Sequence, residues 1–294
     1  MPVVRFSDLG IESRLIGCLA DQGITEPFEV QIEAIPSAME GRDICCRAPT
    51  GSGKTLAFGL PLISRTGPAK PKKPTALILT PTRELAEQIR NVLDPLAWES
   101  KMKVLSVYGG TSYGKQLRGL EKGAEILVAC PGRLLDLLKR KALSLEDVGI
   151  VVLDEADRMA DMGFMEPVCK IIDQCISEPQ MILFSATLDH EVSKLVKSYQ
   201  NDPVRIEVGP KEISMDSMEH LFWNIKPYKK TEIAVKSVRR AGRSIIFCRT
   251  RLGVDRLSDE LKLDDVPLSS LHGGLNQKQR DRAMRKFSSG RSMV

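Results

Sequence analysis

Up to residue 208, apolar positions are grouped into short runs that are separated by segments of helix length. Seven such runs occur, at residues 44–48, 75–80, 103–108, 125–130, 149–154, 181–186 and 203–208. Near-continuous apolar strands that alternate with helices are typical of a parallel sheet covered on both faces. The pattern therefore predicts an α/β fold. In such sheets ligands bind beyond the carboxyl ends of the strands.

The stretch 209–218 breaks this alternation, because it is rich in Gly, Pro, Ser and charged residues. It predicts a linker between a first domain at 1–208 and a second at 219–294. The second domain repeats the α/β pattern, with predicted strands at 221–226, 244–249 and 267–272 and predicted helices at 229–240, 252–263 and 277–287. A complete lobe of this kind needs on the order of 150 residues, so we expect the chain to hold only part of it.

Composition narrows the class of protein. Apolar residues make up 42% of the chain and charged residues 28%, as in ordinary soluble globular proteins. No apolar run approaches the roughly 20 residues of a membrane helix, and the first residues lack the apolar core of a signal peptide. We therefore expect a cytoplasmic protein with no membrane partner. The seven cysteines are scattered and mostly within apolar runs, which favours buried thiols over zinc or redox sites.

The net charge of +5 is unevenly distributed. Residues from His220 onward contain 17 Lys/Arg and 7 Asp/Glu, whereas the preceding residues contain 26 and 31. A basic segment favours a polyanionic partner, although a solvated helical surface would have the same composition.

The stretch APTGSGKT follows a predicted strand and precedes a helical pattern, which is the order of a phosphate-binding loop. Such a loop wraps backbone N–H groups around a phosphate at a helix start, and its glycines adopt conformations that side chains forbid. Lys54 would reach the β and γ phosphates, and the Thr55 hydroxyl would approach Mg²⁺. The candidate nucleotide-binding residues are Ala48, Pro49, Thr50, Gly51, Ser52, Gly53, Lys54 and Thr55. Because the generic pattern has glycine where Ala48 stands, a Gly/Ser turn with an incidental lysine remains open.

Two carboxylates follow the predicted strand at 149–154, where an acid can face phosphates bound at the neighbouring strand. Asp154 is the candidate Mg²⁺ ligand, and Glu155 is the candidate base that orients and deprotonates the attacking water. Both residues, with Lys54, are the catalytic candidates. The alternative is an acidic first turn of the following helix, which the helix dipole stabilises by a few tenths of a kcal/mol.

Taken together, the motifs APTGSGKT, PTREL (81–85), GG (109–110), CPGR (130–133), DEAD (154–157) and SAT (185–187) occur in the order and approximate spacing of the DEAD-box RNA helicases. The chain resembles this family over essentially its whole length. The family's first motif reads A-x-x-G-x-G-K-T, so Ala48 is the family residue. The resemblance implies two RecA-like lobes, the second one partial here, with ATP and Mg²⁺ as ligands and RNA as partner.

The segment GITEPFEVQ, residues 23–31, resembles the family's adenine-recognition segment. The Gln31 amide can accept from the adenine amino group and donate to the adjacent ring nitrogen. Phe6 would stack on the base. Ile24 stands at a position that is often aromatic, and Phe28 at one that is often Ser or Thr. The alternative interpretation is that Gln31 is simply a polar residue near the start of a helix.

The resemblance also implies contacts to the sugar-phosphate backbone of RNA, which position the nucleic acid without reading its sequence. The residues that match are Pro81, Thr82, Arg83, Gly109, Gly110, Pro131, Gly132, Arg133, Arg249, Thr250, Gln277 and Arg280. Exposed arginines at helix starts would explain Arg83 and Arg133 individually. Asp157, Ser185 and Thr187 would couple the phosphate site to the RNA surface.

The family cycle implied by the resemblance is ATP-dependent separation of short RNA duplexes. Two later family segments, T-D-x-A-x-R-G and H-R-x-G-R, do not occur in the 294 residues. In the family, the arginines of the second of these segments reach the γ phosphate, and an arginine finger of this kind contributes about 10³–10⁵ in rate. We therefore expect the chain to bind ATP but to hydrolyse it poorly. Two alternatives remain. One is a non-catalytic nucleotide- or RNA-binding module from a truncated helicase. The other is a DNA translocase, which the adenine segment and Asp157 disfavour.

Overall fold

The structure is a computed structural model that describes residues 4–176, 178–209 and 219–294. It divides into two compact units, Met1–Glu212 and Ile213–Val294. Except for Gly209, the predicted linker lies outside the described residues. The predicted domain boundaries therefore stay a prediction.

The first unit contains a seven-stranded sheet in which every pair of neighbouring strands is parallel. Its strands are β1 (Ile44–Arg47), β2 (Ala76–Leu79), β3 (Val104–Val107), β4 (Ile126–Ala129), β5 (Ile150–Leu153), β6 (Gln180–Ser185) and β7 (Val204–Glu207). They lie in the order β3-β4-β2-β5-β6-β1-β7. Each strand end lies within one residue of the predicted run, so the predicted parallel sheet is confirmed.

Helices cover both faces of this sheet. A short 3-10 turn, Phe6–Leu9, precedes α1 (Ser13–Asp21), α2 (Glu29–Met39), α3 (Lys54–Arg65), α4 (Arg83–Glu99), α5 (Tyr113–Lys122), α6 (Pro131–Lys139), α7 (Ala156–Asp161), α8 (Met165–Ile172) and α9 (His190–Tyr199). Within β2, Ile78 belongs to one apolar cluster and its neighbours Leu77 and Leu79 to another. Since successive strand residues point to opposite faces, the two clusters are the two faces of the sheet. The first cluster contains side chains of α1 to α4, and the second those of α5 to α9.

The predicted motifs of the first unit lie at one edge of the sheet. Ala48 follows β1, Gly109 follows β3, Pro131 follows β4, Asp154 follows β5, and Ser185 ends β6. Because the strands are parallel, their carboxyl ends meet at the same edge. The topology therefore brings residues that are far apart in sequence to one surface.

Within residues 219–294, the second unit contains three helices, α10 (Lys230–Ala241), α11 (Arg251–Leu263) and α12 (Gln277–Ser288), after a 3-10 turn at Pro227–Lys229. These helices confirm the predicted ones within two residues at each end. A small apolar cluster of Val235, Val238, Leu261 and Val266 lies among them.

The prediction of three strands in the second unit is wrong, since no strand is assigned within residues 219–294. Near 244–249 and 267–272, isolated backbone bonds take the place of a ladder. The Ser244 N–H donates to Met293 O (2.8 Å), and the Met293 N–H donates to Pro267 O (2.7 Å). Ile245 and Phe247 are exposed, at 68% and 92%. An apolar run forms a strand only where neighbouring segments supply repeated pairing, and these bonds are too few for that.

Candidate nucleotide and RNA site

The loop between β1 and α3 has the backbone of a phosphate cradle. Gly51 and Gly53 adopt left-handed conformations, with φ of 84° and 89°, and Gly53 is the N-cap of α3. The Ser52 hydroxyl donates to Pro49 O (2.9 Å), which closes the turn. The first N–H groups of a helix have no partners within it, and they carry the positive end of the helix dipole. The turn therefore presents N–H donors at a site that favours an anion.

Lys54 and Asp154 are buried beside this loop, only 8% and 3% exposed. The Lys54 ammonium donates to Ala48 O (3.2 Å), so the side chain folds back across the loop. Burial raises the pKa of Asp154 to about 6, with the positive charge of Lys54 acting in the opposite direction. A buried ammonium and carboxylate are costly unless each is paired or binds a ligand. The site therefore holds a buried ammonium that could bind phosphates and a buried carboxylate that could bind a metal ion.

This donor set fits a nucleotide with its divalent cation. Within the described ranges, no group of three or more His, Cys, Asp or Glu side chains could hold a metal ion on its own. Mg²⁺ usually takes one or two protein ligands and completes its shell with phosphate oxygens and water. Thr55, in the first turn of α3, and Asp154 are suitable protein ligands of that kind.

Glu155 is held in an unusual backbone conformation next to Asp154. It has a φ of 54°, in the left-handed region, and it is the N-cap of α7. Its N–H donates to Asp154 Oδ1 (3.0 Å), and its carboxylate accepts from Arg158 Nη1 (2.7 Å). Backbone strain of this kind is found at functional sites, where the surrounding structure maintains it. The Glu155 side chain is 11% exposed, and its carboxylate is oriented by Arg158.

The structure brings Asp157, Ser185 and Thr187 into contact, although 28 and 30 residues separate them from Asp157. The Asp157 N–H donates to the Ser185 hydroxyl (3.1 Å), and the Thr187 N–H donates to Asp157 Oδ2 (3.2 Å). The carboxyl end of β6 is thereby fastened to α7. A coupling role for these residues stays a prediction.

Gln31 connects the predicted adenine segment to the phosphate loop. Its amide accepts from the Phe28 N–H (2.9 Å) and donates to Gly53 O (2.9 Å), and the residue is 2% exposed. Phe28 is 59% exposed and its ring lies against Gly53. Phe6, in contrast, is 2% exposed in the core, so stacking on a base would require its ring to move. Its stacking role stays a prediction, and Phe28 is the exposed aromatic ring beside Gln31.

Alanine at Gly53 is expected to destabilise the chain more than alanine at Gly51. Both positions are left-handed, which costs a residue with a Cβ about 1–2 kcal/mol. Only at Gly53 would the Cβ also lie 2.6 Å from Gln31 Nε2 and Phe28 Cδ2, whereas at Gly51 it would meet open space. Urea unfolding of the two variants measures the difference. Equal losses of stability would show that Gln31 and Phe28 do not press on the loop.

Two predicted RNA motifs meet at the carboxyl ends of β2 and β3. The Thr82 hydroxyl accepts from the Leu85 N–H (3.3 Å) and so caps α4, at whose first residue Arg83 stands. Gly110 has a φ of 80°, and a Cβ there would collide with the Arg83 guanidinium. Pro81, Arg83, Gly109 and Gly110 are thus neighbours, and the guanidinium passes over the glycine turn.

Arg133 joins the same surface from α6, where Pro131 occupies the first turn after Cys130. Its Nη1 donates to the Gln116 side chain (2.8 Å), and its guanidinium lies over the Tyr113 ring, 5.4 Å from the centroid. Sequence reasoning missed Gln116. The available signal was its spacing, because it stands four residues before Leu120 on the buried face of α5. Gly132, between Pro131 and Arg133, is exposed.

Three of the four predicted RNA residues of the second unit lie at or next to helix starts, and the fourth lies at the end of the first turn of α12. Arg249 precedes Thr250, which caps α11 by accepting from the Gly253 N–H (3.0 Å). Gln277 begins α12 and donates to Asp281 (2.9 Å). Arg280 lies one turn further on, with its Nη1 3.5 Å from His272 O. Their RNA contacts stay predictions.

The state of the cysteines and the character of the helices can also be seen in the structure. All seven cysteines are free thiols. In the parts of the chain that the structure describes, none of the helices combines the length and apolarity that crossing a membrane would require.

Comparison with known proteins agrees with this geometry. Residues 28–195 match the DEAD/DEAH box helicase family, and residues 227–294 match the helicase conserved C-terminal domain. The chain is 34% identical over 289 residues to the DEAD-box ATP-dependent RNA helicase CshA of Bacillus subtilis, covering 98% of this chain and 58% of that protein. It is 37% identical over 289 residues to the RNA helicase CrhR of Synechocystis, covering 97% and 58%. The chain thus spans little more than half the length of these relatives.

Solved structures show the same likeness. A DEAD box protein from the hyperthermophile Methanococcus jannaschii superposes with a TM-score of 0.66 at 30% identity, covering 99% of this chain and 78% of that one. An RNA helicase from Chaetomium thermophilum, solved with ADP, gives a TM-score of 0.66 at 32% identity, covering 99% and 71%. The match at 28–195 contains the loop from Ala48 to Thr55 and six of the seven strands, β1 to β6. The chain belongs to the DEAD/DEAH box helicase family.

Proposed function

We propose that this chain binds ATP with Mg²⁺ and binds RNA, and that it acts as part of an ATP-dependent RNA helicase. The observation that carries the proposal is the burial of Lys54 and Asp154 beside a glycine turn that opens α3. Two buried opposite charges at the carboxyl edge of a parallel sheet fit a phosphate and its cation. The names of the relatives support RNA as the partner.

Each residue of the loop has a distinct role in this proposal. The N–H groups from Gly51 to Thr55 would hold phosphate oxygens, and Lys54 would exchange its bond to Ala48 O for a phosphate oxygen. Thr55 and Asp154 would hold Mg²⁺, which neutralises charge that develops on the phosphates. Asp154 has a pKa of about 6, so it is mostly ionised near neutral pH.

Glu155 would accept the proton of the attacking water. Its carboxylate now accepts from Arg158 Nη1, and side-chain oxygens that are not used in this bond can accept from water. The left-handed backbone at Glu155 turns the chain sharply after β5, and its carboxylate is close enough to Asp154 to raise the pKa of that group. A base must lie within hydrogen-bond reach of the water, and this arrangement keeps it near the metal ligand.

Adenine recognition predicts a preference for ADP over GDP in calorimetric titrations. Guanine presents a carbonyl where adenine presents an amino group, and a bidentate amide contact discriminates by about 1–3 kcal/mol. Gln31→Glu removes the donor half of the amide and should abolish the preference. Gln174→Glu, at an exposed glutamine near the amino end of β6, is the matched control and should retain it. Equal affinities for ADP and GDP in the wild-type chain would exclude the adenine assignment.

RNA binding would use the surface formed by Arg83, the turn at Gly109–Gly110, and Arg133. These groups contact phosphates and sugars, so binding should be salt-sensitive and indifferent to base sequence. The basic balance after His220 supports a further contribution from the second unit. Competition between RNA and DNA of the same sequence separates this proposal from a DNA translocase, because the 2′-hydroxyl distinguishes the two polymers.

A cytoplasmic location is also part of the proposal. It is supported by the seven free thiols, because disulfides form and persist in oxidising compartments. A non-catalytic nucleotide- or RNA-binding module is the alternative to an ATP-hydrolysing enzyme. Hydrolysis in single-turnover experiments distinguishes the two.

A further inference from the structure

We propose that Gln116 is a positioning residue for RNA binding, which fixes Arg133 to the turn at 108–111. The proposal rests on the RNA-binding function proposed above and names a residue that carries it. Gln116 would not touch RNA itself, because it is 6% exposed. It would act by holding two RNA-binding segments in one arrangement.

The hydrogen bonds of Gln116 join elements that are otherwise separate. Its amide nitrogen donates to Tyr108 O (2.9 Å) and to the Thr111 hydroxyl (2.7 Å), on the two sides of Gly109–Gly110. Its amide oxygen accepts from Arg133 Nη1 (2.8 Å). One buried side chain therefore links the turn after β3 to the first turn of α6.

Arg133 is restrained from a second side by Tyr113. The guanidinium lies over the Tyr113 ring at 5.4 Å, and that of Arg140 lies over the same ring at 5.1 Å. A long side chain that is already ordered loses less conformational freedom when it binds a phosphate. The bond to Gln116 uses only one of the N–H groups of the guanidinium. It therefore orients Arg133 and leaves other N–H groups that can donate to a ligand.

The chain contains a matched control at the opposite edge of the sheet. Gln180, the first residue of β6, is 8% exposed. Its amide nitrogen donates to Ala38 O (2.9 Å) and Arg42 O (2.8 Å), and its oxygen accepts from Arg65 Nε (3.3 Å). Like Gln116, Gln180 donates two hydrogen bonds and accepts one from an arginine, but it lies at the amino ends of the strands, away from the predicted RNA motifs. A purely structural role for Gln116 would make the two glutamines equivalent.

The test compares Gln116→Met and Gln180→Met by fluorescence anisotropy of a labelled single-stranded RNA and by ADP calorimetry. Methionine keeps the size of the side chain and removes all three bonds. We expect Gln116→Met to weaken RNA binding about tenfold and to lower the slope of log K against log [salt] by about 1. ADP affinity should not change, and Gln180→Met should bind RNA as the wild-type chain does. Unchanged RNA binding by folded Gln116→Met, or an equal loss in Gln180→Met, would overturn the proposal.

A double-variant cycle with Arg133→Ala shows whether Gln116 acts through the arginine. If it does, the double variant should bind RNA no more than about twofold more weakly than Arg133→Ala alone. Additive losses would overturn the proposal. Should Gln116→Met fail to fold, Gln116→Asn keeps the amide but is one methylene too short to make all the bonds, and RNA binding at the wild-type level would again overturn it. If the wild-type chain itself does not bind RNA, the proposed function fails; if only Arg133→Ala weakens binding, the inference alone fails.

Discussion

Replacing Lys54 by alanine is expected to reduce the affinity for ADP and ATP at least ~30-fold. Lys54 is 8% exposed and lies beside the buried Asp154, so its charge acts in surroundings of low polarity. Removing one partner of a buried, hydrogen-bonded charge pair typically costs about 2–5 kcal/mol. In the proposed complex Lys54 is the partner removed, and a phosphate oxygen is the partner left behind. GDP should lose affinity by the same factor as ADP, because the phosphate contact does not depend on the base.

Calorimetry of the variant with Mg²⁺-ADP measures this loss. Lys139→Ala is the matched control, since it removes an exposed lysine at the end of α6 and should not change affinity. Urea unfolding shows whether the Lys54 variant is folded at the temperature of the titration. Wild-type affinity in folded Lys54→Ala would show that the loop from Ala48 to Thr55 is not the phosphate site.

Replacing Glu155 by glutamine is expected to slow ATP hydrolysis by about 10²–10⁴ while ATP binding is retained. The amide is nearly isosteric with the carboxylate and can still accept from Arg158, so the geometry next to Asp154 should persist. Only the ability to take a proton from water is removed. Single-turnover measurements, with the chain in excess over ATP, detect slow hydrolysis directly.

Glu166→Gln is the control for this substitution. Glu166 lies on α8 and forms an exposed ion pair with Lys170, four residues later. The substitution therefore also removes a carboxylate that is paired with a nearby cation of the same helix, but at an exposed position. It should leave hydrolysis unchanged. Hydrolysis by Glu155→Gln at the wild-type rate would refute its role as base. If the wild-type chain binds ATP but shows no hydrolysis, the non-catalytic binding module becomes the better account.

The sequence was sufficient to predict the first unit because its signals are local. Each apolar run before residue 208 became a parallel strand, and the glycine turn became the N-cap of α3. The order of the motifs then placed them at one edge, since parallel strands end on the same side. No knowledge of distant contacts was needed for these conclusions.

What the sequence could not show depends on partners that are distant along the chain. The runs at 244–249 and 267–272 have the composition of strands, but a strand also needs a neighbour that completes its ladder. The bond from Gln31 to Gly53 spans 22 residues, and that from Arg133 to Gln116 spans 17. Such contacts follow from tertiary packing. For the same reason the burial of Phe6, and the exposure of Phe28 instead, became visible only in the structure.

Hydrogen exchange of the backbone amides with and without Mg²⁺-ADP tests the central claim most directly. The account predicts slower exchange on ADP binding at residues 50–56, in the loop and the first turn of α3, and at 154–157, with no change at 109–111. Addition of single-stranded RNA should instead slow exchange at 109–111 and 131–134. Protection by ADP that is confined to other segments, or none at saturating ADP, would contradict the claim that this loop and the end of β5 form the nucleotide site.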